Sequence, residues 1–161
     1  VYRLCTPGGG VDRPRRALDE GGGEARVALD VPMLQNMEVV VSHMAEAFGR
    51  YIGMDTDSID EVRAALVEAC INAFEHSHSK SARLRLEFVP TPEALTVTIS
   101  DQGHGFDVQT ALKQVRERRE SGDMRRGWGL ELVGEFMDDV RIESGPGGTT
   151  LTLVKRRRQN A

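Results

Sequence analysis

Leu34, Met37, Val40, Val41, Met44, Ala45 and Phe48 recur at the three- and four-residue spacing of a helix face, and the run stops at Gly49. A second stripe, Ile59, Val62, Leu66, Ala69, Cys70 and Ala73, accompanies Ser58 and Glu61 in capping-box spacing and predicts a helix reaching about His76. The period then changes to two. Leu84, Leu86 and Phe88 alternate with Arg83, Arg85 and Glu87; after Pro90 and Pro92, Leu95, Val97 and Ile99 alternate with Thr96 and Thr98. This predicts an antiparallel hairpin with one buried face. Residues 108–120 predict a polar helix and Gly129 to Met137 another. Val140 to Ser144 and Thr149 to Val154 predict a second hairpin around Gly145-Pro146-Gly147-Gly148. With a short strand from Arg26 to Val31, the order is β-α-α-β-β-α-α-β-β. The fold class expected from it is an α/β (α+β) two-layer sandwich: a mixed, mainly antiparallel sheet with helices on one face.

Ahead of these elements, residues 1–24 carry Gly8, Gly9, Gly10, Gly21, Gly22 and Gly23 with Arg13, Arg15 and Arg16 between them. So few apolar side chains predict a disordered leader, and the folded domain is expected over residues 25–158. A length of 161 residues with 39% apolar content suits one core. Cys5 and Cys70 lie far apart, as in a protein of a reducing compartment, and no apolar run approaches the ~18 residues needed to span a bilayer. A cytoplasmic protein without membrane contact is expected. The net charge of −4 gives no overall basic field for nucleic acid. Lys155-Arg156-Arg157-Arg158 reads as a solvated terminus, so any role in gene regulation would run through a protein partner.

Three groups of residues could carry chemistry. Glu68, Asn72 and His76 follow at i, i+4 and i+8 on the second helix, away from its apolar stripe. Asn72 offers a neutral oxygen to a hard cation such as Mg²⁺, and Glu68 can accept a proton from a hydroxyl held beside a phosphate. A solvated helix face explains the same triplet, and His76 also suits a helix C-terminus, where it meets the dipole. Asp101-Gln102-Gly103-His104-Gly105 closes the strand from Leu95 to Ser100. Its glycines permit close approach of a flat base and its carboxylate can accept from an exocyclic amine, or the segment is an ordinary Asp-Gly turn. Arg125-Arg126-Gly127-Trp128-Gly129-Leu130 opens an apolar-periodic helix. Exposed N–H groups and paired arginines there make an anion cradle, or a linker capped by a core Trp.

In this order, Glu68-x-x-x-Asn72, Asp101-x-Gly103-x-Gly105 and Gly127-x-Gly129-Leu130 resemble the N, G1 and G2 boxes of the GHKL ATPase superfamily. Val67 to His76 is more closely similar to the N box of the bacterial anti-sigma-factor serine kinases, and the likeness covers roughly residues 26–156. The resemblance implies an ATP-dependent protein serine/threonine kinase with the Bergerat fold. Glu68 would be the general base and Asn72 the Mg²⁺ ligand. Asp101, Gly103, Gly105 and Thr149 would receive adenine. Arg125, Arg126, Gly127, Gly129 and Leu130 would meet the phosphates, with His76 in a supporting role. The implied partners are a sigma factor and a STAS-type antagonist, with no direct nucleic-acid contact, and the implied assembly is a homodimer. A stoichiometric ATP-binding module without turnover and a switch kinase of a signalling complex are the alternatives.

Overall fold

The computed structural model describes residues 2–4, 25–76, 81–105, 107, 108, 110, 113, 117 and 129–158. The elements are β1 (Tyr2–Leu4), β2 (Val27–Pro32), α1 (Met37–Tyr51), α2 (Thr56–His76), β3 (Arg83–Pro90), β4 (Ala94–Ser100), α3 (Gly129–Phe136), β5 (Asp139–Gly145) and β6 (Gly148–Arg156). They build a six-stranded sheet ordered β1-β5-β6-β4-β3-β2, antiparallel except where β1 runs parallel to β5. The mixed, mainly antiparallel sheet and its helical layer agree with the fold class expected from the sequence.

Strand alternation fixes which face the helices cover. Leu84, Leu86 and Phe88, Leu95, Val97 and Ile99, Val140 and Ile142, and Leu151 and Leu153 are all buried. Val41 and Ala45 of α1, Ile59, Val62, Leu66, Ala69 and Cys70 of α2, and Val133 of α3 complete one core with them. Phe48 stacks on Phe88 with ring centroids 5.1 Å apart and ties α1 to the sheet. Helix α2 packs between α1 and α3. Pro32 ends β2 at the sheet edge, where its missing N–H costs no ladder bond.

Several elements differ from the sequence expectation. Asn36 takes a left-handed turn (φ 69°) before α1, so Leu34 falls outside the helix and is 62% exposed. The cap of α2 is Asp55 rather than Ser58: the Ser58 N–H donates to Asp55 Oδ1 at 2.8 Å and its hydroxyl to Oδ2 at 2.7 Å. Glu61, freed from any capping box, instead pairs with Lys155 and Arg158. Lys155 belongs to no solvated tail. It occupies the core face of β6 in the series Leu151, Leu153, Lys155, is 4% exposed, and donates to the Phe136 carbonyl at 2.6 Å. The chain stays docked beyond it, since the Arg157 N–H donates to the Glu93 carbonyl at 2.7 Å. Within the leader, Tyr2–Leu4 forms β1 by pairing with Val140, Arg141 and Ile142, while residues 5–24 lie outside the described residues. Of the helix expected over 108–120, the described positions Val108, Thr110, Lys113 and Glu117 are helical. Asp107 caps that start, accepting the Thr110 hydroxyl at 2.6 Å.

Candidate functional site

The C-terminal half of α2, the end of β4, the β5–β6 turn and the start of α3 meet at one end of the sheet. The placement follows from the antiparallel register. Strand β4 ends at Ser100 opposite Thr150, near the beginning of β6, and α2 leads into the beginning of β3 at that same end.

Glu68 and Asn72 lie one turn apart on α2, both half-buried. Asn72 Nδ2 is buried and has no hydrogen-bond partner among the described residues. An unpaired buried amide costs free energy, so it marks a position that a ligand could satisfy. The first residue of α3, Gly129, faces this carboxamide so closely that a Cβ there would collide with Nδ2. Glycine therefore brings the N-terminus of α3 against Asn72. The orphan Nδ2 is a donor, so beside the positive end of α3 it fits an acceptor such as a phosphate oxygen, and the Oδ1 of the same carboxamide is the neutral oxygen that a hydrated hard cation on that phosphate would take. Leu130 packs partly buried against the core.

Asp101 follows β4 directly. Its N–H donates to the Thr149 carbonyl at 2.9 Å, and its Oδ1 accepts the Gly103 N–H at 2.7 Å. The segment is thus the Asp-Gly turn that the sequence allowed, with a carboxylate fixed at the strand end. Gly103 is buried. Gly148 has φ +123°, and a Cβ there would strike the Asp101 carbonyl. Gly105 has φ +69° and lies against the Gly145 backbone, so its small size seats the loop on the β5–β6 turn. Thr149 Oγ1 and Ser144 Oγ are 2.9 Å apart. Asp101, Thr149 and Ser144 all continue the alternation of buried residues, Ile99, Leu151 and Ile142 respectively, and so belong to the helix side of the sheet.

The structure thus brings Asn72, Gly129, Asp101, Gly103 and Thr149 to one end of the domain. His76, one turn beyond Asn72, ends α2 at this same end and is exposed, with Glu75 Oε2 3.8 Å from its Nε2. Arg125, Arg126 and Gly127 lie outside the described residues. Gly148 and Ser144 enter the sequence analysis as parts of the second hairpin and not as candidate site residues. A signal for each exists in the hairpin register, which pairs Gly145 with Gly148 and Ser144 with Thr149.

Residues 32–155 match the family described as the histidine kinase-like ATPase domain. The serine-protein kinase RsbW of Halalkalibacterium halodurans is 24% identical over 133 residues, covering 80% of this chain and 82% of that protein. The anti-sigma F factor of Pasteuria penetrans is 27% identical over 138 residues, covering 81% of this chain and 90% of that protein. Among solved structures, the RsbU and RsbW domains of a Mycobacterium tuberculosis protein superpose with a TM-score of 0.63 at 20% identity, covering 85% of this chain and 34% of that one. A chain of the Pseudomonas aeruginosa SiaB-SiaC complex gives a TM-score of 0.52 at 11% identity, covering 81% of this chain and 89% of that one. The two superpositions show a shared fold.

Proposed function

The chain belongs to the histidine kinase-like ATPase domain family, and from that premise we propose that it is an ATP-dependent protein serine/threonine kinase acting as an anti-sigma factor. Its protein substrate is a small STAS-type antagonist, and it sequesters a sigma factor. Relatives named serine-protein kinase RsbW and anti-sigma F factor support this reading. The observation within the molecule that carries it is the meeting of Asn72, its buried amide unpaired, with the α3 N-terminus at Gly129.

Asp101 accepts the exocyclic amine of adenine, and Gly103 keeps that carboxylate in place through its N–H. Thr149, bonded to Asp101 through the backbone, completes the base contacts. Asn72 would hold Mg²⁺, which when bound neutralises charge on the phosphates. The positive end of the α3 dipole favours phosphate oxygens, Gly127 and Gly129 would close over them, and Arg125 or Arg126 would reach the γ-phosphate. Glu68 takes the proton of the incoming serine hydroxyl. Transfer forms a serine O–P bond, breaks the bond from the γ-phosphorus to its bridging oxygen and releases ADP, the proton going to the Glu68 carboxylate. Two copies of the chain form the working dimer.

Incubation with radiolabelled ATP, magnesium and a STAS-type antagonist tests the reading. Label on an antagonist serine or threonine is the expected result, and E68A abolishes it. A stable complex with nucleotide and partner but no transfer would make the protein a stoichiometric binder instead.

A further inference from the structure

We propose that Ser144 is a specificity residue of the purine subsite: its hydroxyl holds the Thr149 hydroxyl in the donating orientation that selects adenine over guanine. The inference rests on the assignment of Asp101 and Thr149 to the base. Ser144 and Thr149 are cross-strand partners one residue inside the β5–β6 turn, with hydroxyl oxygens 2.9 Å apart. Thr149 cannot drift relative to Asp101, because its carbonyl accepts the Asp101 N–H at 2.9 Å. Gly148, against the Asp101 carbonyl, closes the same arrangement.

A hydroxyl has one hydrogen and two lone pairs. If Thr149 gives its hydrogen to Ser144, it presents only acceptors to the pocket. If Ser144 donates, Thr149 keeps a hydrogen to give away. Adenine shows an N6 donor beside the N1 acceptor, whereas guanine shows the O6 acceptor beside an N1 donor. Asp101 accepts only, so it takes the adenine amine and opposes guanine O6. The Thr149 hydroxyl must then donate directly to N1, and that requires Ser144 to be the donor of the pair. Without the Ser144 hydroxyl the Thr149 rotor serves either base.

A matched control lies on the opposite face of the sheet. Ser100 Oγ and Thr150 Oγ1 form the same kind of pair at 3.1 Å, one register position away and turned from the helices. Any general effect of losing a cross-strand hydroxyl bond appears equally in S100A and S144A.

Titration of wild type, S144A, S144T and S100A with ATP and GTP, with thermal melting alongside, tests the role. S144A lowers the ratio of ATP to GTP affinity by about three- to tenfold, the range of one neutral hydrogen bond. S144T restores the ratio and S100A leaves it unchanged. 1-Deaza-ATP, which lacks the N1 acceptor, loses affinity for wild type but little for S144A. An unchanged ratio in S144A, with ATP binding retained and D101N still abolishing it, overturns the Ser144 role and leaves the subsite standing. A wild-type protein that binds no ATP overturns the subsite itself. Should S144A fail to fold, S144C, near-isosteric and a weaker donor, reads the same ratio.

Discussion

Gly129, the first residue of α3, faces the carboxamide of Asn72 on α2 across a gap that has no room for a Cβ. On the proposed function the contact couples a packing requirement to a binding one. G129A pushes the two helices apart or forces the amide aside, so it lowers stability by about 1–3 kcal/mol, as overpacking does. Nucleotide affinity falls with it. Removing the amide relieves the clash, so the G129A/N72A double variant recovers most of the stability and none of the affinity. Thermal denaturation and nucleotide titration of both singles and the double measure this coupling.

Glu68 and Asn72 share a face of α2, and the proposed function assigns phosphotransfer to the first and binding to the second. E68Q keeps the size and loses the base. Its ATP affinity stays within about twofold of wild type, while transfer to the antagonist falls by about 10²- to 10⁴-fold. Equal losses in both measurements would reassign Glu68 to nucleotide binding.

What the sequence disclosed of the site follows from how local each signal is. Glu68 and Asn72 are legible because helical spacing alone puts them on one face, and Asp101 with Gly103 because a strand end and its turn are contiguous. Gly148, Ser144 and Lys155 gain their roles only across strands or layers. Gly148 is shaped by the Asp101 carbonyl and Lys155 by Glu61 and the Phe136 carbonyl, all distant in sequence. Four basic residues in a row suggest a wet tail, yet strand alternation carries the first into the core behind Leu151 and Leu153. The capping box at Ser58 failed for a nearer reason. Asp55 stands three residues earlier, and its carboxylate caps a turn more strongly than a hydroxyl can, so the helix begins there.

Asp55 gives the α2 cap a pH dependence. The Ser58 N–H and hydroxyl hold its carboxyl below the ordinary value of 3.8. The folded state therefore favours the ionised form. Its contribution is complete above the unfolded value and is lost as pH falls through the folded one. The difference in melting temperature between wild type and D55A is accordingly largest above about pH 5 and shrinks toward about pH 2. A difference that grows on acidification would show the cap to be neutral.

Cys70 is buried in the core stripe of α2, and that burial pushes its thiol up to about 12. Thiolate is then scarce at neutral pH and access is closed, so iodoacetamide fails to modify it in the native protein at about pH 8. Modification appears on addition of denaturant, with the same midpoint as the loss of helical circular dichroism. Rapid labelling without denaturant would mean that α2 opens away from the sheet.

The pair of Lys155 and Glu61 predicts an asymmetry between two substitutions. Lys155 is almost wholly buried and also holds the last carbonyl of α3, at Phe136. Glu61 faces both Lys155 and Arg158, so one carboxylate neutralises two cations. E61A leaves a buried ammonium next to a guanidinium with no anion between them, the situation that costs about 3–5 kcal/mol when a buried pair is broken. K155M puts an apolar side chain of similar length among Leu153, Leu95 and the helices, while Glu61 keeps Arg158. That substitution loses one hydrogen bond to a carbonyl and removes a desolvated charge, so its cost is at most about 1–2 kcal/mol. Urea denaturation of the two variants orders them with E61A the weaker. The reverse order would mean that the Lys155 bond to Phe136, rather than charge balance, secures α3 against β6.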